Sequence, residues 1–159
     1  MNKSLVDIKG FSELERLIKK LPDKVTKREM HKILGQVANP TLKAAKGKAP
    51  KSKTAHLQKR KGQSFGTYIS PGNLQKSLGK IKGKRGLGKE NAVLYIGARA
   101  GKRRKNDGWY GRFVEKGTVK QSANPFTEKA YNQTKGMVTA DAEVKVTRYI
   151  QKQIERLSK

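Results

Sequence analysis

Apolar residues recur along this chain with two different periods, and the changes between them mark out its elements. Leu5-Val6-Asp7-Ile8-Lys9-Gly10 alternates apolar with polar positions and stops at glycine, the pattern of a short strand. Ser12 then caps a helix whose first turn holds Glu13 and Glu15, where acidic side chains complement the free amide groups. Leu14, Leu17, Ile18 and Leu21 follow at helical spacing. Pro22 ends that segment and opens the next, because its missing N–H is no loss in a first helical turn. The second helix places Val25, Met30, Ile33, Leu34, Val37, Leu42 and Ala45 on one face with lysines and arginines opposite, and Pro40 bends it.

The periodicity disappears at Lys46. From there to Ser70 the chain is rich in lysine, glycine, serine and glutamine and holds no acidic residue, which predicts an extended basic loop. Gly72-Asn73-Leu74-Gln75-Lys76-Ser77-Leu78 forms a helical turn before a second basic, glycine-rich run, Gly79 to Lys89. Ala92-Val93-Leu94-Tyr95-Ile96-Gly97-Ala98 is the clearest strand. A third basic run, Arg99 to Lys105, leads into Trp109-Tyr110-Gly111-Arg112-Phe113-Val114-Glu115, assigned to a strand that pairs with the previous one as a long-looped hairpin. Asn124-Pro125 starts a long helix running to about Leu157, with Phe126, Ala130, Met137, Val144, Ile150, Ile154 and Leu157 on its contact face and Gly136 loosening it midway. These elements give one α+β domain over residues 1–159. A small, mostly antiparallel sheet packs against a long N-terminal helical segment and a long C-terminal helix, with extended basic loops at about 46–71, 79–91 and 99–108.

Composition narrows what such a domain can do. Only 34% of the 159 residues are hydrophobic and 6% aromatic, and the mean hydropathy is -0.83, so the core is thin under a large solvated surface. The balance of 38 Lys+Arg against 12 Asp+Glu gives a net charge of +26, which favours a polyanion or acidic protein surfaces as neighbour. The absence of cysteine excludes disulfides and thiolate metal sites. No run approaches the roughly 18 apolar residues of a membrane span, and the N-terminus has no signal-peptide core, so a protein made in the cytoplasm and not bound to membrane is expected.

Catalytic constellations are missing. His31 and His56 are the only histidines and stand in no paired-ligand spacing, so neither a metal nor another cofactor is expected. The acids are scattered beside lysines; Glu115, after an apolar pair, reads as a buried or interfacial salt-bridge partner. Gly83-Lys84-Arg85-Gly86-Leu87-Gly88-Lys89 lacks the flanking strand and helix of a phosphate-cradling loop, and it ends in Lys-Glu where such a loop needs Lys-Ser or Lys-Thr. No sequence-reading DNA motif is present, so contact with nucleic acid would be nonspecific. Trp109, Tyr110 and Phe113 could stack on bases, but their spacing favours a core role.

Four segments, taken in order, resemble the tailed-phage tail-completion and neck (head-tail joining) protein family, which includes the minor tail protein Z of phage lambda and its siphophage relatives. They are Ile8-Lys9-Gly10-Phe11 with Leu14 and Leu17; Ala44 to Pro50; Gly72 to Leu78; and Tyr110 to Thr118 followed by Ala123-Asn124-Pro125-Phe126. The resemblance implies that Ala49, Pro50, Leu74, Ser77, Tyr110, Phe113, Val114, Glu115, Gly117, Thr118, Pro125 and Phe126 make the fold or an interface. Gly117-Thr118 would end a strand in a turn that needs an unusual backbone angle, and Pro125 and Phe126 would start and anchor the last helix. Relatives hold the Ala-Pro and Gly-x-Leu elements close together, whereas Lys51 to Pro71 intervenes here as a basic insertion.

The resemblance further implies a non-enzymatic virion protein that forms a homo-oligomeric, sixfold ring at the head-to-tail junction. Its partners there would be head-closure and tail-terminator or tail-tube proteins. Lys59, Arg60, Lys61, Lys84, Arg85, Arg103, Arg104 and Lys105 are the candidate contacts to packaged DNA or to acidic partners. The rival readings are a tail terminator or minor capsid protein, a free nonspecific nucleic-acid-binding protein, and a nuclease built around Glu115.

Overall fold

The computed structural model describes residues 23–59, 62, 64–85, 89, 91–101 and 106–157. The expected strand at residues 5–10 and helix at 12–21 lie outside these residues. Helix α1 (Asp23–Val37) and helix α2 (Asn39–Lys48) take the place of one bent helix. Pro40 sits in the first turn of α2, and its ring cannot supply the amide that would bond Gln36; Ala38 between the helices keeps helical dihedrals, with its amide bonding the Leu34 carbonyl at 2.9 Å and its carbonyl accepting the Leu42 amide at 3.0 Å.

The residues expected to form one basic loop contain a hairpin, β1 (His56–Gln58) paired antiparallel with β2 (Thr67–Ile69). The threonine, tyrosine and isoleucine of β2 suit a pleated ribbon, and the surrounding lysines obscured that signal. Helix α3 (Asn73–Ser77) leads directly into β3 (Leu78–Lys82), which pairs antiparallel with β4 (Leu94–Ala98). The partner of β4 is therefore the stretch read as a glycine-rich basic run, not the aromatic segment after it. Lys80 lies on the strand face that holds Leu78, and its ammonium reaches the Gly35 carbonyl and, at 2.5 Å, the Asn39 side chain. A cation at the carboxyl end of α1 meets free carbonyls and the negative end of the helix dipole.

Trp109 to Glu115 is a turn followed by helix α4 (Gly111–Lys116), correcting the expected strand. Gly111 is the reason the helix fits: a Cβ there would stand 2.6 Å from the Ala98 Cβ, so only glycine lets α4 approach β4 this closely. The tertiary contact overrides the β propensity of the aromatic residues.

Helix α5 (Phe126–Leu157) runs unbroken for 32 residues through Gly136. Phe126, Ala130 and Thr134 are buried on one stripe, and Thr41, Ala45 and Ala49 form the matching stripe on α2. Small side chains at Ala130 and Thr134 and at Thr41, Ala45 and Ala49 let the two helices pack closely, and the Thr41 and Thr134 hydroxyls bond at 2.7 Å within the seam. Thr134 donates to the Ala130 carbonyl at 2.9 Å, which leaves Thr41 as the donor to Thr134. Farther along α5, Met137 and Val144 are exposed rather than packed. The core of Ala45, Ala49, Leu74, Leu78, Val114, Phe126 and Ala130 thus joins α2, α3, β3, α4 and the start of α5.

Candidate functional site

Residues drawn from separated stretches of sequence meet in this core. Ala49 closes α2 with Pro50 following, and Leu74, Val114 and Phe126 pack with it. Ser77 is fully buried, donates to the Leu74 carbonyl at 2.7 Å, and presents its own carbonyl to the Arg99 amide at 3.0 Å and guanidinium at 3.2 Å. A Cβ on Gly108 would lie 2.2 Å from the Ser77 hydroxyl, so both positions are held small.

Asn73, not singled out from the sequence, ties this region together. Its side-chain amide donates to the Asp107 carbonyl at 2.9 Å and to the Tyr110 hydroxyl at 3.1 Å. Burial raises the Tyr110 pKa above its ordinary value; the bond from Asn73 opposes that shift and the Asp107 charge adds to it. One Asp107 carboxylate oxygen accepts from the amides of Gly101 at 3.1 Å and Trp109 at 3.2 Å. The Gly108 amide bonds the Arg99 carbonyl at 3.0 Å. Both feet of the third basic loop are therefore clamped. The turn-forming dipeptide Asp107-Gly108 was the available sequence signal for this anchor.

The segment from Tyr110 to Phe126 builds the start of α5. Tyr110 is packed against the core, while Phe113 is half exposed and meets the Trp109 ring edge-on at 6.0 Å. Gly117 has φ 76° and ψ 177°, and a Cβ there would stand 2.7 Å from the Ala123 nitrogen and 2.9 Å from the Gln121 carbonyl oxygen. The chain turns back through Thr118, whose amide bonds Gln121 at 2.8 Å, and the Asn124 amide bonds the Val114 carbonyl at 2.9 Å. Pro125 precedes the helix and accepts the Lys129 amide at 3.0 Å. Glu115 lies in α4, and its carboxylate accepts the amides of Thr127 at 3.1 Å and Glu128 at 3.2 Å, together with the Thr127 hydroxyl. It caps a helix where a salt bridge was expected.

The described candidate cations lie away from this core. Lys59, Lys84 and Arg85 are exposed, while Arg60, Lys61, Arg103, Arg104 and Lys105 fall outside the described residues. Several open clefts flank the core. One of about 310 Å³ is lined by Pro50, His56, Ile69, Asn73, Tyr110 and Gln121, and a more apolar one of about 420 Å³ by Leu34, Val37, Tyr95, Ile96, Tyr131 and Val138. Neither gathers a general acid and base, and among the described residues no group of three or more His, Asp or Glu side chains is placed to hold a metal. Among these residues no helix is long and apolar enough to cross a membrane. The described surfaces thus combine a packed centre, clamped loop feet and exposed cations.

Comparison with known families matches residues 12–117 to the HK97-gp10-like family, described as Bacteriophage HK97-gp10, putative tail-component. Comparison with curated proteins and with solved structures gives no match. The matched span covers Ala49-Pro50, Leu74, Ser77 and Tyr110 to Gly117, and leaves most of the Gly117–Phe126 turn and all of α5 beyond its end.

Proposed function

Because the chain belongs to the HK97-gp10-like family of phage tail components, we propose that it is a structural virion protein forming a ring in the neck or upper tail, where it completes the tail and joins it to the head. The observation that carries this reading is the separation of two layers. Ala49, Leu74, Ser77, Val114 and Phe126 meet in the buried centre, whereas Lys59, Lys84 and Arg85 stand exposed on the hairpin and the β3–β4 connection. A fold-making centre with cations displayed outside it suits a subunit held between neighbours and facing acidic surfaces or DNA. The kinship to tail-completion proteins of the lambda Z kind, the sixfold symmetry, and the head-closure and tail-terminator or tail-tube partners belong to the same proposal. So do its virion location, its non-enzymatic character and its organisation as one domain.

The test is a phage carrying charge reversals at Lys59, Arg60, Lys61, Lys84, Arg85, Arg103, Arg104 and Lys105, beside one lacking the gene. Loss of the gene is expected to leave unjoined heads and tails, and the charge reversals to reduce joined, DNA-filled particles. Imaging of wild-type particles is expected to show a ring of this chain at the junction. Assembly and DNA retention unaffected by the reversals would remove the proposed contacts. A ring elsewhere, at the tail's end or in the capsid wall, would replace the neck reading with that of a tail terminator or minor capsid component.

A further inference from the structure

We propose that the outer face of the β1–β2 hairpin is a docking surface for an acidic protein neighbour in the particle, which rests on the reading of the chain as a virion component. The register pairs Leu57 directly with Tyr68, and directly opposed residues project from the same side of a ribbon. Leu57 is 71% exposed, Tyr68 66%, and Phe65, just before β2, 86%. On the other face Ile69 is only 2% exposed and borders the cleft beside Asn73 and Leu74, while His56 opposite it is exposed. The ribbon therefore buries Ile69 against its own domain and offers Leu57 and Tyr68 on the other side, with Phe65 exposed just before β2. The Leu57 side chain lies over Gly66, where an added Cβ would meet it at 2.2 Å. A lone two-stranded hairpin is marginal in water, and one with three large apolar side chains exposed gains by being covered.

Charge decides what covers it. Lys51, Lys53 and Lys59, close in sequence to β1, are exposed, and from Lys46 to Lys89 the chain contains no aspartate or glutamate. A second copy, carrying +26 itself, would bring like charge to this face. Duplex DNA satisfies the lysines but not the leucine and the aromatic rings, since phosphates are met by cations and hydrogen-bond donors. An apolar centre with a charged rim is the layout of a protein interface, and the rim's sign calls for an acidic partner.

The test uses whole particles. The phage is grown with a photocrosslinking residue, p-benzoylphenylalanine, in place of Phe65, and particles are purified, irradiated and analysed by mass spectrometry. The amount of the chain in unirradiated particles reads the virion assignment separately: if the chain is absent, that assignment fails and this proposal falls with it. With the chain present, a crosslink to an Asp- and Glu-rich segment of a different virion protein is expected. The double variant Leu57→Ser, Tyr68→Ser is expected to keep its melting temperature and helical circular dichroism yet enter particles at least tenfold less. A crosslink to DNA, to a second copy or to a segment without acidic residues overturns the proposal. So does the absence of any crosslink in particles that contain the chain, or wild-type incorporation of the folded double variant.

Discussion

The Glu115 carboxylate holds the first turn of α5 through Thr127, accepting its amide at 3.1 Å and its hydroxyl as well. The Glu128 amide adds a third donor at 3.2 Å. A negative charge at a helix amino end satisfies free N–H groups and opposes the helix dipole, and losing such a cap costs about 1–2 kcal/mol. Glu115→Ala is therefore expected to lower the melting temperature by several degrees, at roughly 2–4 °C per kcal/mol for a chain of this size. Glu115→Gln, which keeps one carbonyl acceptor, should fall between the two. Thermal unfolding followed by circular dichroism checks both, and an unchanged midpoint for the alanine variant contradicts the capping role.

Gly117 and Gly136 should respond to alanine with opposite signs. At Gly117 the backbone lies at positive φ with extended ψ, a region almost confined to glycine, and an added Cβ would run into the backbone of Ala123 and Gln121. Gly117→Ala is expected to cost more than about 3 kcal/mol, the sum of the conformational strain and the clash. Gly136 is inside α5 with nothing within 4 Å of an added Cβ, so Gly136→Ala should stabilise by about 0.5–1 kcal/mol through helix propensity. Chemical denaturation of the two variants measures the difference, and equal effects would contradict the backbone assignment.

What the sequence conveyed about this fold depended on whether a local signal agreed with the tertiary context. Gly117 and the Pro125-Phe126 helix start were legible because glycine and proline report backbone geometry directly. The α+β class and the long last helix were legible from periodicity. The segment Trp109 to Glu115 misled because its aromatic and β-branched residues favour a strand, while the docking of Gly111 on Ala98 selects a helix. Strand β3 was hidden for a different reason: Lys80 and Lys82 occupy alternating positions that usually hold apolar residues, and Lys80 is used on the end of α1. Of the site, Ser77 and Val114, expected to make the fold or an interface, are buried in the centre. Asn73 and Asp107 were missed because their partners, the Tyr110 hydroxyl and the Gly101 amide, come from parts of the chain that only folding brings near.

The buried Thr41–Thr134 bond predicts strong non-additivity. Thr41→Val removes the donor to Thr134, and Thr134→Val leaves the Thr41 hydroxyl without its acceptor in the α2–α5 seam. A single loss that strands a buried polar group costs about 1–3 kcal/mol, whereas replacing both hydroxyls with methyls of similar shape removes the mismatch. The double variant is therefore expected to be less destabilised than the sum of the singles, with a coupling of about 1 kcal/mol or more. A denaturation cycle over the four proteins tests this, and strict additivity would mean that the hydroxyls do not depend on each other.

His31 gives the chain a pH dependence whose sign follows from its surroundings. Burial comes first among the causes, followed by the positive charges of Lys82 and Lys27, and all three lower its pKa below the ordinary value of 6.5. Its Nδ1 is shut off from solvent with no hydrogen-bond partner among the described residues, consistent with a neutral ring. The unfolded chain binds the proton more readily, so the contribution to stability is complete above about pH 6.5 and is lost as pH falls through the lower, folded pKa. Between about pH 7.5 and 5.5, above the main carboxylate range, the wild type is expected to lose stability relative to His31→Gln. Added salt should weaken the part of the shift due to the lysines and leave the part due to burial. Denaturation of both proteins across that range, with an NMR titration of the imidazole, measures the effect; parallel curves, or a wild type that gains stability on acidification, would contradict it.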